Sequence, residues 1–311
     1  MKRFLVHIGI FALGLVFWVL SLILFMPSNP TGYTREYFVK KGMLSDSERM
    51  GSIVLLGGSS VAFGYNSPML SEDLGMPVIN AGLNAGVGLK LMVEESFPYL
   101  KKGDVLVFSP EYDHFFGDFA YGFKPLAEVF FQGRGACASK MNWRQWRVVF
   151  FHMPMMLQQR LEYAIKRSFF SPESTTYQLS SFNEYGDIVA HWKEQHELLQ
   201  INLEKESIKE PNRVVFLWLE KQLREISERG VQVYMVPPIL AQTAYANKED
   251  NIQRVESKFQ EIGFPFVCPP AKMTYPDPLF YDTFYHLDSL GAAIHTEDIS
   301  SLLKKNHIVA E

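Results

Sequence analysis

Short apolar strand patterns alternate with amphipathic helix patterns along most of this 311-residue chain. The predicted strands are residues 52–56, 77–80, 105–109, 231–236 and 264–268. The predicted helices after residue 50 are residues 89–100, 212–228, 248–262 and 288–304. Strands that alternate with helices are typical of a parallel sheet with helices on both faces. We therefore expect an α/β fold with a five-stranded parallel sheet in an α/β/α sandwich.

One long segment, residues 115–211, interrupts this alternation after the third predicted strand. It contains no clear strand–helix unit and no internal repeat. We interpret it as a mostly helical insertion within a single α/β domain that covers residues 31–311.

An apolar run over residues 4–26 contains no Asp, Glu, Lys or Arg. About 20 such residues span the hydrocarbon core of a bilayer as a helix. Lys2 and Arg3 precede the run, which places the N-terminus in the cytoplasm and the following domain outside, in the periplasm or at the cell surface. We expect a single-pass membrane anchor and linker over residues 1–30. A cleaved signal peptide is the alternative, but no Ala-x-Ala site follows the run.

Composition and charge exclude several classes of protein. Hydrophobic residues make up 47% and charged residues 21% of the chain, as in ordinary folded domains. The net charge of -4 does not favour a nucleic-acid partner. Cys137 and Cys268 are expected to be two separate buried thiols, with a disulfide as the alternative outside the cytoplasm. No His, Cys and carboxylate spacing suits a metal, so we predict no metal site and no other cofactor.

The first predicted strand ends in the motif Gly57-Gly58-Ser59-Ser60. Ligands of open parallel sheets bind beyond the carboxyl ends of the strands, so Gly58 and Ser60 are candidate substrate contacts. A serine at this point would lie at a helix N-terminus, where backbone N–H groups stabilise negative charge. Ser59 is therefore a candidate nucleophile. The alternative is a plain turn in which Ser59 or Ser60 caps the helix.

Two further motifs follow the second and third predicted strands. Residues 80–88 are rich in small side chains, which let backbone N–H groups near Ala85 or Gly86 approach an oxyanion. Asn84 in this loop is a candidate side-chain donor. Glu111, which comes just after the third strand, is a candidate substrate-binding residue.

Asp282 and His286 lie four residues apart in the loop before the last predicted helix. A serine hydroxyl becomes a good nucleophile when a histidine takes its proton and a carboxylate orients the imidazole. We expect both side chains to converge on Ser59. The alternative is a structural histidine, with Asp288 capping the helix.

This order of motifs resembles the SGNH, or GDSL-like, hydrolase superfamily, over residues 50–114 and 212–305. In that family the nucleophilic serine follows the first strand, and an Asp and a His come together near the C-terminus. The resemblance implies a flavodoxin-like fold with Ser59 as nucleophile and with Asp282 and His286 as its partners. It is closest to membrane-anchored bacterial proteins of the superfamily.

The chain also departs from the family pattern. Gly58 stands where the family usually has Asp, and the third motif contains Glu111 but lacks the asparagine that binds the oxyanion. Asn84 is the candidate to replace that asparagine. The spacing from Asp282 to His286 is one residue longer than usual.

The resemblance and the predicted anchor together imply a serine esterase or O-acyltransferase of the cell envelope, acting on acyl esters of cell-surface glycans. The acyl acceptor would be water or a glycan hydroxyl, and a membrane acyl-donor protein is a further expected partner. The alternative is a catalytically inactive anchored module that binds a glycan or scaffolds a membrane partner.

The segment from residue 140 to residue 167 is basic and rich in aromatic residues and methionine. Glu162 is its one acid, and its basic residues are Lys140, Arg144, Arg147, Arg160, Lys166 and Arg167. Such a segment can lie on anionic lipid, so we expect the insertion to cover the active site and face the bilayer. A helix that packs on the domain with a solvated basic face is the alternative.

Overall fold

A computed structural model describes residues 2–25, 27–49, 51–166, 176–194 and 204–306 of the chain. Met26, which ends the predicted apolar run, and Arg167, which ends the predicted basic segment, lie outside the described residues.

The central sheet contains four parallel strands in the order β2-β1-β3-β4. They are β1 (Ile53–Gly57), β2 (Val78–Asn80), β3 (Val105–Ser109) and β4 (Gln232–Met235). Every residue of β1 and β3 is buried, because helices cover both faces of the sheet. This explains why these strands read as continuous apolar runs rather than as alternating patterns. The predicted α/β class with a parallel sheet is confirmed.

The helices of the described chain are α1 (Lys2–Phe25), α2 (Glu36–Ser45), α3 (Ser59–Gly64), α4 (Ser67–Leu74), α5 (Leu89–Ser96), α6 (Lys124–Gln132), α7 (Trp143–Lys166), α8 (Arg213–Glu228), α9 (Gln242–Glu261) and α10 (Ser289–Lys305). One face of the sheet packs against α5, α8 and α9. The other face packs against α4 and α10. Helix α9 begins before the predicted residue 248, and the sequence patterns did not predict α2 or α4.

The predicted fifth strand at residues 264–268 is not found in the described sheet. Only one parallel bridge, between Met235 and Phe266, extends the sheet in this direction. Pro265 and Pro269 flank the pairing residues, and a proline has no N–H to donate to a ladder. A separate pair of short parallel strands is instead formed by β5 (Leu240–Ala241) and β6 (Thr274–Tyr275).

Helix α1 is 24 residues long and carries exposed apolar side chains, with Phe11 exposed at 74% and Phe17 at 73%. The structure does not describe the side chains at several positions of α1. Over the residues that it does describe, no helix is long and apolar enough to cross a membrane. The anchor therefore stays a prediction from the sequence.

The described part of the insertion contains α6 and α7, which pack against each other. Helix α7 continues through Pro154 as one helix. Cys137 and Cys268 are both buried and are free thiols, so the two are not joined by a disulfide.

A buried carboxylate, Asp187, fastens the end of the insertion to the sheet. Its oxygens accept hydrogen bonds from the Ser67 N–H (2.9 Å) and hydroxyl (2.6 Å), and from the side-chain amide of Asn80 (2.8 Å). The side-chain amide of Asn183 also donates to Asp187, at 3.0 Å. Asn183 and Asp187 therefore belong to a structural turn that ties the insertion to β2 and α4.

Replacing Asp187 by Ala should lower the free energy of unfolding by about 3 kcal/mol, because several buried donors lose their acceptor. Glu184→Ala is the matched control, since Glu184 lies in the same turn with an exposed side chain. It should change stability by less than about 0.5 kcal/mol. Denaturant unfolding of the full chain in detergent measures both, and equal losses would contradict the role given to Asp187.

Candidate active site

Three side chains from distant parts of the sequence meet beyond the carboxyl end of β1. His286 Nε2 lies 2.8 Å from Ser59 Oγ. His286 Nδ1 lies 2.7 Å from Asp282 Oδ1. The predicted Ser, His and Asp residues are thus in one continuous hydrogen-bonded series, with the imidazole in the middle. This is the arrangement in which a histidine can take a serine proton while a carboxylate stabilises the resulting imidazolium.

The imidazole of His286 is held on its face and on its edge. Phe63 of α3 stacks on the ring with centroids 3.9 Å apart and planes 4° from parallel. The hydroxyl of Tyr177 donates to Asp282 and lies 3.3 Å from His286 Nδ1. Tyr177 belongs to the insertion, so this part of the insertion lies over the triad. His286 itself is only 6% exposed, and its orientation is therefore fixed by packing as well as by hydrogen bonds.

Asp282 is positioned to stay ionised. Burial would raise the pKa of its carboxyl, but the hydrogen bond with His286 and the one from Tyr177 outweigh burial and hold the pKa below its usual value. A negative Asp282 favours the tautomer that presents Nε2 of His286 to Ser59 as a proton acceptor.

Close backbone packing decides where Ser59 lies. The carboxyl ends of β1 and β3 pair directly, with Gly57 opposite Ser109. A Cβ at Gly57 would overlap the carbonyl of Ser109, so only glycine fits there. The chain then turns through Gly58 and starts α3 at Ser59, which is half-buried. The N–H groups of a first helical turn have no acceptor within the helix, which leaves the Ser59 N–H as a candidate oxyanion donor.

The carboxylate of Glu111 fills the space beside Gly58. A Cβ on Gly58 would overlap this carboxylate, and Glu111 Oε1 accepts a hydrogen bond of 2.9 Å from the Ser60 N–H. Glu111 and Ser60 are only 1% and 0% exposed. The role of Glu111 and Ser60 as substrate contacts stays a prediction, and the structure shows the two residues buried and bonded to each other. Glutamate at position 111 leaves space only for glycine at position 58.

Glu111 is held among groups that favour its neutral form. Burial raises its pKa to about 7, although the hydrogen bond from Ser60 acts in the opposite direction. Burial lowers the pKa of His114 to about 4, so this imidazole is neutral near pH 7. His114 Nε2 lies 3.0 Å from the carbonyl of Ala85 and must carry the proton. The unprotonated Nδ1 therefore faces Glu111 Oε2, at 3.6 Å, which disfavours a negative charge on Glu111.

The loop after β2 is fixed by its own side chains and by α2. Asn84 Oδ1 accepts from the Gly86 N–H at 2.8 Å, and Glu36 Oε1 accepts from the Asn84 N–H at 3.0 Å. Lys40 donates to the carbonyl of Gly82 and lies 3.5 Å from Glu36. The Gly86 N–H is already bonded to Asn84, so its binding of an oxyanion stays a prediction that would require this hydrogen bond to break. Ala85 and the side-chain amide of Asn84, which are partly exposed, remain candidate donors.

No sequence motif marks the residues from other parts of the chain that support the triad. Tyr177 lies in the insertion, where no local pattern marks it. Phe63 lies one helical turn after Ser59 in α3, but an aromatic residue at this position is also what an ordinary hydrophobic core would contain. Glu36 and Lys40 are a same-face pair on α2, and that spacing was the available signal. Among the described residues no group of three or more His, Cys, Asp or Glu could hold a metal ion.

A scan against protein-family models finds no match, and a search of curated proteins finds no similar sequence. Assignment to a family therefore depends on the order of the motifs and on the geometry of the site.

Replacing Gly58 by Ala should cost about 2 kcal/mol of stability, because the new methyl group displaces the Glu111 carboxylate and frees the Ser60 N–H. Adding Glu111→Ala should restore part of that loss, since the overlapping group is gone. Gly42→Ala, in α2 with open space around its Cα, should not destabilise the chain. Denaturant unfolding of wild type, Gly58→Ala, Glu111→Ala and the double variant gives the coupling free energy, and strictly additive losses would contradict the steric pairing.

Replacing Glu111 by Gln should flatten the pH dependence of stability. A carboxyl whose folded pKa lies near 7 instead of 4.5 gives stability that is full below about pH 4.5 and is lost as pH rises through 7. Over that pH range, the free energy of unfolding of wild type should therefore fall by on the order of 3 kcal/mol relative to that of Glu111→Gln. Thermal unfolding of both chains from pH 4.5 to 8.5 measures it. Parallel curves would show that Glu111 titrates normally.

Proposed function

We propose that this chain is an SGNH-like serine esterase or O-acyltransferase that acts on acyl esters of cell-surface glycans from a membrane anchor. The observation that carries the proposal is the hydrogen-bonded series from Ser59 through His286 to Asp282. The four-stranded parallel sheet with Ser59 beyond β1 supports an SGNH-like layout.

In the proposed reaction, Ser59 Oγ attacks the ester carbonyl while His286 Nε2 takes its proton. The negative charge on the carbonyl oxygen is stabilised by the Ser59 N–H and by a donor from the loop at Ala85. Collapse of this intermediate breaks the ester bond, and His286 returns the proton to the leaving alkoxide. Water or a glycan hydroxyl then gives its proton to His286 and attacks the acyl-serine. The bond from Ser59 Oγ to the acyl carbon breaks, His286 returns the proton to Ser59 Oγ, and an acid or a new ester is released.

The proposed anchor places this chemistry at the outer surface of a membrane. Lys2 and Arg3 precede the apolar run, and exposed phenylalanines along α1 would otherwise face water. A domain held in this way reaches ester groups on envelope glycans and, where transfer occurs, an acyl-donor protein in the same membrane.

A second candidate function is favoured by a separate observation. The N–H groups of Ser60 and Gly86, two residues predicted to contact the substrate or the oxyanion, are bonded to the Glu111 and Asn84 side chains. These two N–H groups are therefore not available to stabilise an oxyanion. This suits an anchored module that binds a glycan ester without cleaving the ester, or that scaffolds a membrane partner.

Reaction with a fluorophosphonate probe separates the two functions, because the probe forms a bond only with an activated serine. The full chain should label, and Ser59→Ala should abolish labelling. His286→Ala should slow it by at least about 10³-fold, because Ser59 loses its base. In-gel fluorescence and hydrolysis of p-nitrophenyl acetate give the two readouts.

Ser257→Ala is the matched control for this experiment. Ser257 lies on α9, and its hydroxyl donates to the carbonyl of Gln253 in the same helix. This variant should label like wild type. Absence of labelling in a folded wild-type chain would reject the enzyme and favour the binding module.

A further inference from the structure

Helix α7 exposes an unusual number of large apolar side chains. The exposed set, at 40–81% of full accessibility, is Trp143, Phe150, Phe151, Met155, Leu161 and Ile165. Their spacing along the helix places most of them on one side. The side chains of Gln145, Val149, Met156 and Arg160 are buried, which shows that α7 packs on the domain by its other side. An apolar face of this length on a surface helix indicates an interaction site.

The buried side of α7 lies next to the start of the domain. One cavity of about 270 Å³ is lined by Ser28, Asn29 and residues 32–34 together with residues of α7 that include Met156 and Arg160. Ser28 comes three residues after the end of α1 at Phe25, and three residues span at most about 11 Å. This part of α7 therefore stays close to the point where the proposed anchor leaves the bilayer.

The charges beside this face are basic. Glu162 is the only acid in α7. The guanidinium of Arg147 lies 5.3 Å from the centroid of the Trp143 ring, and that of Arg144 lies 4.7 Å from the ring of Tyr121. Asp118 neutralises part of the charge on Arg144, at 2.6 Å. Arg144 also lies 5.5 Å from the Trp143 ring, which is exposed, whereas Tyr121 is buried. Arginines next to an exposed indole suit the boundary between anionic lipid headgroups and acyl chains.

A groove of about 520 Å³ opens beside the same face. Phe123, Phe150 and Phe151 contribute apolar walls, and Arg144 and Arg147 lie at the same groove. Apolar walls with two guanidinium groups match a phospholipid, whose phosphate pairs with arginine while its acyl chains need an apolar surface.

We propose that the outer face of α7 rests in the headgroup region of an anionic bilayer, next to the α1 anchor. This inference rests on the proposed anchoring of α1, and it adds a second membrane contact that fixes how the domain is oriented. A tether alone lets a domain rotate, whereas two contacts hold one face toward the lipid. The insertion that contains α7 also supplies Tyr177 to the triad, so the membrane contact and the active site belong to one structural unit.

An environment-sensitive probe on α7 tests the inference with the full chain in vesicles. Cys137 and Cys268 are buried, so a cysteine introduced by Phe151→Cys can be labelled selectively with a nitrobenzoxadiazole dye. Nitroxide lipids in phosphatidylglycerol–phosphatidylcholine vesicles should quench this dye about threefold more than they quench the same dye at Ser257→Cys on α9. Arg147→Glu in the Phe151→Cys background should reduce quenching toward the value in pure phosphatidylcholine.

Flotation with the vesicles separates this inference from the proposals that precede it. A chain that floats, but whose dye at position 151 is quenched no more than at position 257, overturns the α7 contact and leaves the anchor standing. A chain that does not float overturns both. In detergent, the dye at position 151 should not become shielded from water as the protein concentration rises. Shielding only at high protein concentration would show that a second copy of the chain covers this face, and this result would also overturn the inference. Fluorophosphonate labelling of the same samples tests the enzyme independently.

Discussion

Steric exclusion at the carboxyl ends of β1 and β3 is the constraint on which the candidate site depends. A side chain at Gly57 would overlap the backbone carbonyl of Ser109, and one at Gly58 would have to displace the Glu111 carboxylate. The backbone can therefore turn sharply from β1 into α3 with Ser59 at the start of the helix. His286, from a loop more than 200 residues later, then needs only to approach from the open side to reach Ser59 Oγ at 2.8 Å.

Contacts from distant segments keep this turn and its neighbours in place. Asn80 donates to the carbonyl of Val61 at 2.9 Å and to Asp187, so α3, β2 and the insertion share one buried network. Glu36 and Lys40 of α2 bond the backbone of Asn84 and Gly82 and so hold the loop after β2. Such networks are costly to leave half-satisfied, and they favour one arrangement of the loops around Ser59. The site is thus held by parts of the chain that lie outside its own motifs.

Local patterns were enough to predict β1, β2, β3 and β4, whereas the order of the motifs along the chain was needed to link Ser59, Asp282 and His286. Hydrophobic period and small-residue turns are properties of short segments, so one sequence reveals them. The predicted fifth strand was wrong because Pro265 has no N–H to donate to the strand ladder. The apolar character of residues 264–268 does not indicate this loss. Tyr177 could not be found from the sequence, because its role depends on where a segment more than 100 residues from Asp282 folds back.

The two carboxyl groups nearest the nucleophile have been driven toward opposite charge states. Asp282 accepts hydrogen bonds from the imidazole and from Tyr177, and its pKa is held low. Glu111 is enclosed beside a neutral His114, and its pKa is near 7. When titratable groups in one site diverge in this way, their roles diverge too. A negative Asp282 accepts a hydrogen bond from His286, whereas burial of Glu111 beside Ser60 favours its uncharged form. In the proposed acyl transfer, this difference would keep negative charge beside His286 and limit it near Ser59.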